Sequence, residues 1–142
     1  MAEQISIFIE NKEGRLAEVS AILRDAQVNI RALSLADTTD FGVLRLIVND
    51  NDKATAALKR EGFTVGKTQV LAVEVSDEPG GLNNVLDPLS EQDVNVEYMY
   101  AFANPQCKNA IMIFRFDDIE KAKVVLAENS IKVISSQEIC NL

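Results

Sequence analysis

The chain repeats itself, and that repetition limits its architecture more than any other feature of its 142 residues. Ile5, Ile7 and Ile9 recur as Leu71, Val73 and Val75. Gly14, Leu16, Val19 and Leu23 recur as Gly80, Leu82, Val85 and Leu89, and Val28-Asn29-Ile30 recurs as Val94-Asn95-Val96, all at one offset. After the next loop the offset grows by two residues, so that Lys53-Ala54, Leu58, Phe63 and Val65 match Lys121-Ala122, Leu126, Ile131 and Val133. Scattered apolar matches arise by chance, but shared Gly-x-Leu and Val-Asn-[Ile/Val] steps at one spacing argue for duplication. Two modules are therefore expected, residues 1–70 and 71–142. They meet near Val70-Leu71, where no Pro, Gly or Ser linker intervenes, so the halves are expected to be tightly coupled.

Each half reads as β, α, β, β, α, β. Ile5 to Glu10 alternates as a strand with one face on a core does. Leu16, Val19, Leu23 and Ala26 fall at helical spacing, with Glu18, Arg24 and Asp25 on other faces. Val28 to Ala36 is expected to form a second strand. The turn Asp37-Thr38-Thr39-Asp40 then leads to a third at Gly42 to Val48. A second helix is expected to start at a repeated cap, Asn49 with Asp52 and Asp117 with Glu120, the latter having the form of a capping box. These carboxylates read as structural rather than as an acid/base pair. Pro88 falls inside the first helix of the second half, where it removes a backbone bond, so that helix is expected to be kinked or to begin late.

The far side of the sheets also needs cover. If Val28, Ile30 and Ala32 face the helices, Leu33 and Leu35 face away, with Met99 and Ala101 as their counterparts. Strands apolar on both faces are normally covered on both, by the other half, a second copy of the chain or another protein. Tyr98 and Tyr100 suit an interface or, equally, the core. Self-association as a homodimer is the expectation.

Composition narrows the function. With 14 Lys and Arg against 22 Asp and Glu, the formal charge of −8 opposes binding to a phosphate backbone or an anionic membrane, so neither nucleic acid nor membrane is an expected partner. Met1-Ala2-Glu3-Gln4 lacks a basic leader, and no apolar run approaches the roughly 20 residues that span a bilayer. A cytoplasmic protein is expected. Histidine is absent, which removes the commonest general base and metal ligand; no catalytic residue, metal site or cofactor is expected. Cys107 and Cys140 are too few for a disulfide framework and read as free thiols. Cys107, beside Lys108, is the one nucleophile worth considering, and without a histidine to activate it a passive role is the simpler reading.

The loop Asp77-Glu78-Pro79-Gly80-Gly81-Leu82, followed by Asp93-Val94-Asn95-Val96, resembles the loop and second strand of the ACT family. The first half carries a looser version, Asn11-Lys12-Glu13-Gly14-Arg15-Leu16 and then Val28-Asn29-Ile30, without the proline. The resemblance spans essentially the whole chain. It implies an α+β fold of two ferredoxin-like βαββαβ modules, antiparallel sheets with helices on one face. It also implies the role of a stand-alone tandem ACT protein, binding an amino acid where two modules meet and reporting to a client metabolic enzyme. A regulatory or interaction subunit that has lost ligand binding is the alternative.

The same residues support a ligand site on physical grounds. A glycine-bearing turn feeding a helix start presents backbone N–H groups and a positive dipole end to a carboxylate, although Gly and Asn also dominate plain turns. The resemblance to serine-regulated dehydrogenases of that family implies that Asn11 or Asp77 acts together with the strand-opening asparagine of the neighbouring module, Asn95 or Asn29. The candidate ligand residues are thus Asn11, Gly14, Arg15, Leu16, Asn29 and Ile30, with Asp77, Gly80, Gly81, Leu82, Asn95 and Val96. Arg15 would either contact a ligand carboxylate or be a solvated helix-start residue. Asp77, able to pair with an ammonium, and Gly80-Gly81, allowing close backbone approach, favour the second half.

Overall fold

The computed structural model describes residues 2–37, 40–102 and 108–141. Thr38, Thr39 and Cys107, named above in a turn and as a candidate thiol, lie outside the described residues. The chain divides into two compact units, an N-terminal one of Glu3–Thr68 and a C-terminal one of Gln69–Cys140.

The N-terminal unit runs β1 (Ala2–Glu10), α1 (Arg15–Asp25), β2 (Ile30–Asp37), β3 (Phe41–Val48), α2 (Asn51–Arg60) and the start of β4 (Thr64–Val75). Its strands lie in the order β2-β3-β1, with β4 beside β1, and β3 pairs antiparallel with both β1 and β2. Alternation on β1 sends Ile5, Ile7 and Ile9 to one face. There they join Leu44, Leu46 and Val48 of β3 beneath Val19 and Leu23 of α1 and Ala54 and Leu58 of α2.

The C-terminal unit repeats this plan with the remainder of β4, α3 (Gly81–Glu91), β5 (Val96–Ala101), β6 (Ala110–Phe116), α4 (Ile119–Glu128) and β7 (Val133–Ile134). β6 lies between β4 and β5, and β7 pairs with β4; all three pairings are antiparallel. Leu71, Val73 and Val75 pack with Phe114 and Phe116 under Val85 and Leu89 of α3 and Ala122, Val125 and Leu126 of α4. The Phe114 and Phe116 rings stack with centroids 5.5 Å apart. Each unit is thus an antiparallel sheet with two helices on one face, the α+β plan expected from the repeat.

Four local expectations change. First, the second helix of each unit is capped one residue later than its sequence suggests. Asp50 and Asp118 accept hydrogen bonds from the amides of Lys53 and Lys121 at 3.1 and 3.0 Å. Asn49 and Asp117 instead turn back: their Oδ1 atoms accept from the amides of Asn29 and Asn95 at 2.9 and 3.0 Å, and their own amides donate to the carbonyls of those asparagines. Two adjacent side chains able to cap are present in each half, and the need to tie down the strand opening assigns one to each task.

Second, both second strands begin at Ile30 and Val96, later than expected, and carry a bulge. Ile30 lies opposite Val48 but Ala32 opposite Ile47, which places Leu33 opposite Leu46 and Leu35 opposite Leu44. Leu33 and Leu35 therefore stand on the helix side of the sheet, at its edge, and Ala32 faces away, the reverse of simple alternation from Val28. In β5 the same shift puts Met99 opposite Phe114 and Ala101 opposite Met112, and sends Tyr98 and Tyr100 to the far face. Third, α3 starts at Gly81, the position matching the start of α1, and runs through Pro88, so it does not begin late.

Fourth, a further helix, α5 (Ser136–Asn141), closes the described chain. Its signal was present in the sequence as Ser135-Ser136-Gln137-Glu138. The Glu138 amide donates to Ser135 Oγ at 3.2 Å while Glu138 Oε1 accepts from the Ser135 hydroxyl and amide, a capping box in form.

Candidate functional site

The loop after β1 and the first turn of α1 build a small cavity in the N-terminal unit. The Asn11 amide donates to the Asp40 carbonyl at 3.0 Å, tying the loop to the start of β3, and the Lys12 amide donates to the Glu10 carbonyl at 2.9 Å. Gly14 then takes the left-handed conformation at φ 82°, which only glycine adopts without strain, and α1 begins. The half-open cavity has a volume of about 180 Å3 and is bordered by Ile9, Glu10, Asn11, Lys12, Arg15, Leu16, Leu35 and Gly42. This is below the roughly 300–1,000 Å3 of pockets for drug-sized ligands, so it suits a small one.

The cavity has a charged end and an apolar end. Lys12 Nζ lies 2.8 Å from Glu10, and Arg15 lies 2.9 Å from Glu18 and 3.7 Å from Glu10. The hydrogen bond and charge of Lys12, with a smaller effect from Arg15, hold the Glu10 carboxyl below its ordinary range. The Arg15 guanidinium carbon sits 5.0 Å from the centroid of the Phe63 ring, an arrangement that fixes the cation over an aromatic face. Its Nε is buried without a hydrogen-bond partner among the described residues. Ile9, Leu16 and Leu35 form the apolar wall. Gly42 keeps this wall open: a Cβ there would meet Leu35 Cδ1 at 3.3 Å and Ile9 Cγ1 at 3.5 Å.

The matching loop of the C-terminal unit is built differently. Gly80 takes the same left-handed conformation at φ 85°, and the Gly81 amide donates to the Glu78 carbonyl at 3.0 Å. A Cβ on Gly81 would lie 1.9 Å from the Ser76 carbonyl oxygen, so no side chain can occupy the position that Arg15 holds in the first half. Between Ser76 and Leu82 the charged residues are Asp77 and Glu78, both acidic. Asp77 is exposed and Leu82 is 37% exposed.

Of the sequence-derived candidates, Asn11, Arg15 and Leu16 line this small cavity, with Gly14 shaping its loop. Asn29 and Ile30 lie at the opposite end of α1, about 16 Å along an 11-residue helix. Asn95 and Val96 border a more open cavity of about 460 Å3 with Leu86, Leu89, Ser90, Asp93 and Val94, at the far end of α3 from Asp77 and Gly80. No single module brings its own loop and its own asparagine together. The sequence reading missed Ile9, Glu10, Lys12, Leu35 and Gly42. Leu35 was hidden by the bulge, and Gly42 becomes visible only through its register opposite Ile9.

Among the described residues, three or more His, Cys, Asp or Glu side chains nowhere gather as metal ligands would, and no helix is long and apolar enough to cross a membrane. The geometry defines two ferredoxin-like modules, the N-terminal one with a small cavity beside the loop after β1. The family model described as an ACT domain pair matches residues 1–142, and the chain belongs to that family. Protein BT0572 from Bacteroides thetaiotaomicron is 41% identical, with 99% of this chain and 96% of that one covered and a TM-score of 0.92. The regulatory subunits of aspartate kinase from Thermus thermophilus and Thermus flavus share the fold at 15% and 14% identity. Their TM-scores are 0.63 and 0.64, over 89% and 90% of this chain and 91% and 90% of theirs. No curated protein matches the chain. Membership of the ACT domain pair family supports a regulatory role.

Proposed function

We propose that the chain is a non-catalytic sensor that binds a small amino acid and passes its occupancy to a client enzyme of amino-acid metabolism. The cavity of the N-terminal unit carries this reading: Lys12 and Arg15 stand at one end, Ile9, Leu16 and Leu35 at the other, and Gly42 leaves room between them. A ligand carboxylate suits the cationic end, Asn11 offers a carbonyl to the ammonium, and an aliphatic side chain suits the leucine wall. The solved regulatory subunits of aspartate kinase share the fold, which agrees with a role exerted on another protein. Residues 1–70 and 71–142 are the two proposed modules, of which the first does most of the binding. We weigh the first loop, where Lys12 and Arg15 stand beside Glu10, above Asp77 and Gly80-Gly81.

Calorimetry on single variants tests this. Arg15→Ala is expected to weaken amino-acid binding by about 1.5–3 kcal/mol, the range for a hydrogen bond to a charged group, and Asp77→Ala to leave it unchanged. Loss of binding in Asp77→Ala with Arg15→Ala unaffected would place the site on the second loop and overturn the proposal.

A further inference from the structure

We infer that the groove between α1 and α2 of the N-terminal unit receives the exposed ridge of α4 from the C-terminal unit of a second copy of this chain. The groove is a half-open cavity of about 380 Å3, lined by Ile22 and Ala26 of α1 and by Ala56 and Ala57 of α2. Three of these side chains are single methyl groups, which leave the space between the helices unfilled. Lys53 and Arg60 border the groove, about 10.5 Å apart along the helix axis. Neither cation is ion-paired among the described residues. Of the two acids that also border it, Asp25 is held by Arg24 at 3.0 Å and Glu61 caps the end of α2.

The repeat places the complement of this groove on α4. Ala56 matches Val124 there, and Arg60 matches Glu128. Val124 is 56% exposed, with Glu120 and Glu128 four residues away on either side, so the three form one ridge along the helix. A lone exposed valine needs no partner, but this one stands between two carboxylates about 12 Å apart, nearly the spacing of the two cations. The ion pair of Glu120 with Lys123, at 3.7 Å, is exposed and therefore weak. With the helices antiparallel, Val124 seats between Ala56 and Ala57 while Glu120 reaches Arg60 and Glu128 reaches Lys53. The helix dipoles then also oppose each other favourably. A ridge entering a groove at about 20° keeps both ends of such a contact together over two turns.

Charge decides which units meet. The N-terminal unit, residues 3–68, holds nine Lys and Arg against ten Asp and Glu, and the C-terminal unit, residues 69–140, holds five against twelve. Two C-terminal units therefore repel each other more strongly than unlike units do, and two N-terminal grooves would set cation against cation with no ridge between them. The contact is heterologous. Each copy offers one groove and one ridge, so the contact either closes reciprocally between two copies or continues into larger assemblies. It uses neither the loop after β1 nor the cavity beside it, so it stands whether or not that cavity binds an amino acid.

Disulfide trapping between two differently marked chains tests the inference, because a link from position 56 of one to position 124 of the other is intermolecular by construction. Full-length Ala56→Cys and Val124→Cys chains, mixed at high micromolar concentration and mildly oxidised, are expected to yield that link in excess over either self-link. Facing positions on helices packed through alanine lie within disulfide reach. Peptide mapping by mass spectrometry separates this link from any made by Cys107 or Cys140. Adding Arg60→Glu to the first chain is expected to slow the link at least about tenfold, because like charges then meet, and adding Glu120→Arg to the second is expected to restore it. Restoration by a second substitution is a result that damage to the fold cannot produce. If Arg60→Glu loses its native circular dichroism spectrum, Arg60→Gln serves, with a smaller slowing in the same direction. Absence of the 56–124 link would overturn the inference. So would self-links at position 56 that outnumber it, or a yield indifferent to these charge changes.

Discussion

A methyl group at Gly42 would enter the cavity wall at 3.3 Å from Leu35 Cδ1, tighter than ordinary contact but against the movable end of a side chain. Gly42→Ala is therefore expected to weaken amino-acid binding by about tenfold while changing stability by less than about 1.5 kcal/mol, the usual limit for a small packing change. Calorimetry beside a melting curve checks both parts; unchanged affinity would remove Gly42 from the site. Gly81 is the opposite case, because the atom its Cβ would strike is the Ser76 backbone carbonyl at 1.9 Å, which cannot swing aside. Gly81→Ala is expected to destabilise the C-terminal unit by about 1–3 kcal/mol or more. Gly14→Ala meets nothing within 4 Å and bears only the cost of a positive φ, about 1 kcal/mol. Denaturant melts of the two variants that rank them the other way would contradict this account of the two loops.

The elements show why some of this was legible in the sequence and some was not. Amphipathic spacing and the recurrence of Gly14 and Gly80 at one offset revealed the repeated order, because buried faces leave a periodic trace. Strand parity beyond Arg31 was not legible. One extra residue in the ladder reverses every later side chain, and no residue type marks it, so Leu33 and Leu35 were assigned to the wrong face. The caps failed for a related reason: Asn49 and Asp50, like Asp117 and Asp118, are all competent capping residues, and only tertiary geometry divides the work. Asp50→Ala and Asp118→Ala are each expected to cost about 1 kcal/mol by loss of a helix cap. Asn49→Ala should act instead on the opening of β2, raising amide exchange at Asn29, whose N–H now donates to Asn49 Oδ1. If exchange at Lys53 rather than Asn29 rises in Asn49→Ala, the capping assignment is wrong. The loop chemistry was half legible: Asn11 and Arg15 could be named from the chain, whereas the cavity they border also needs Leu35 and Gly42 from strands distant in sequence.

At the scale of the whole molecule, the two units share a plan but differ in the loop after the first strand. Duplication preserved the helix-facing cores around Leu44 and Leu46 and around Phe114 and Phe116, since packing tolerates little change. The exposed loops differ, one carrying Lys12, Glu13 and Arg15 and the other Asp77 and Glu78. Such divergence fits a sensor in which one module recognises the ligand and the other serves assembly or signalling. Membership of the ACT domain pair family and the cavity together make ligand binding the central claim. A thermal-shift screen of the purified chain against the individual amino acids tests it most directly. The account predicts that at least one amino acid, present at a hundred times its dissociation constant, adds about 2.7 kcal/mol of stability. For a chain of this size that raises the melting midpoint by roughly 5–10 °C, and Arg15→Ala should cut the rise to about half or less at the same concentration. An unmoved midpoint across the whole panel at millimolar ligand would contradict the account.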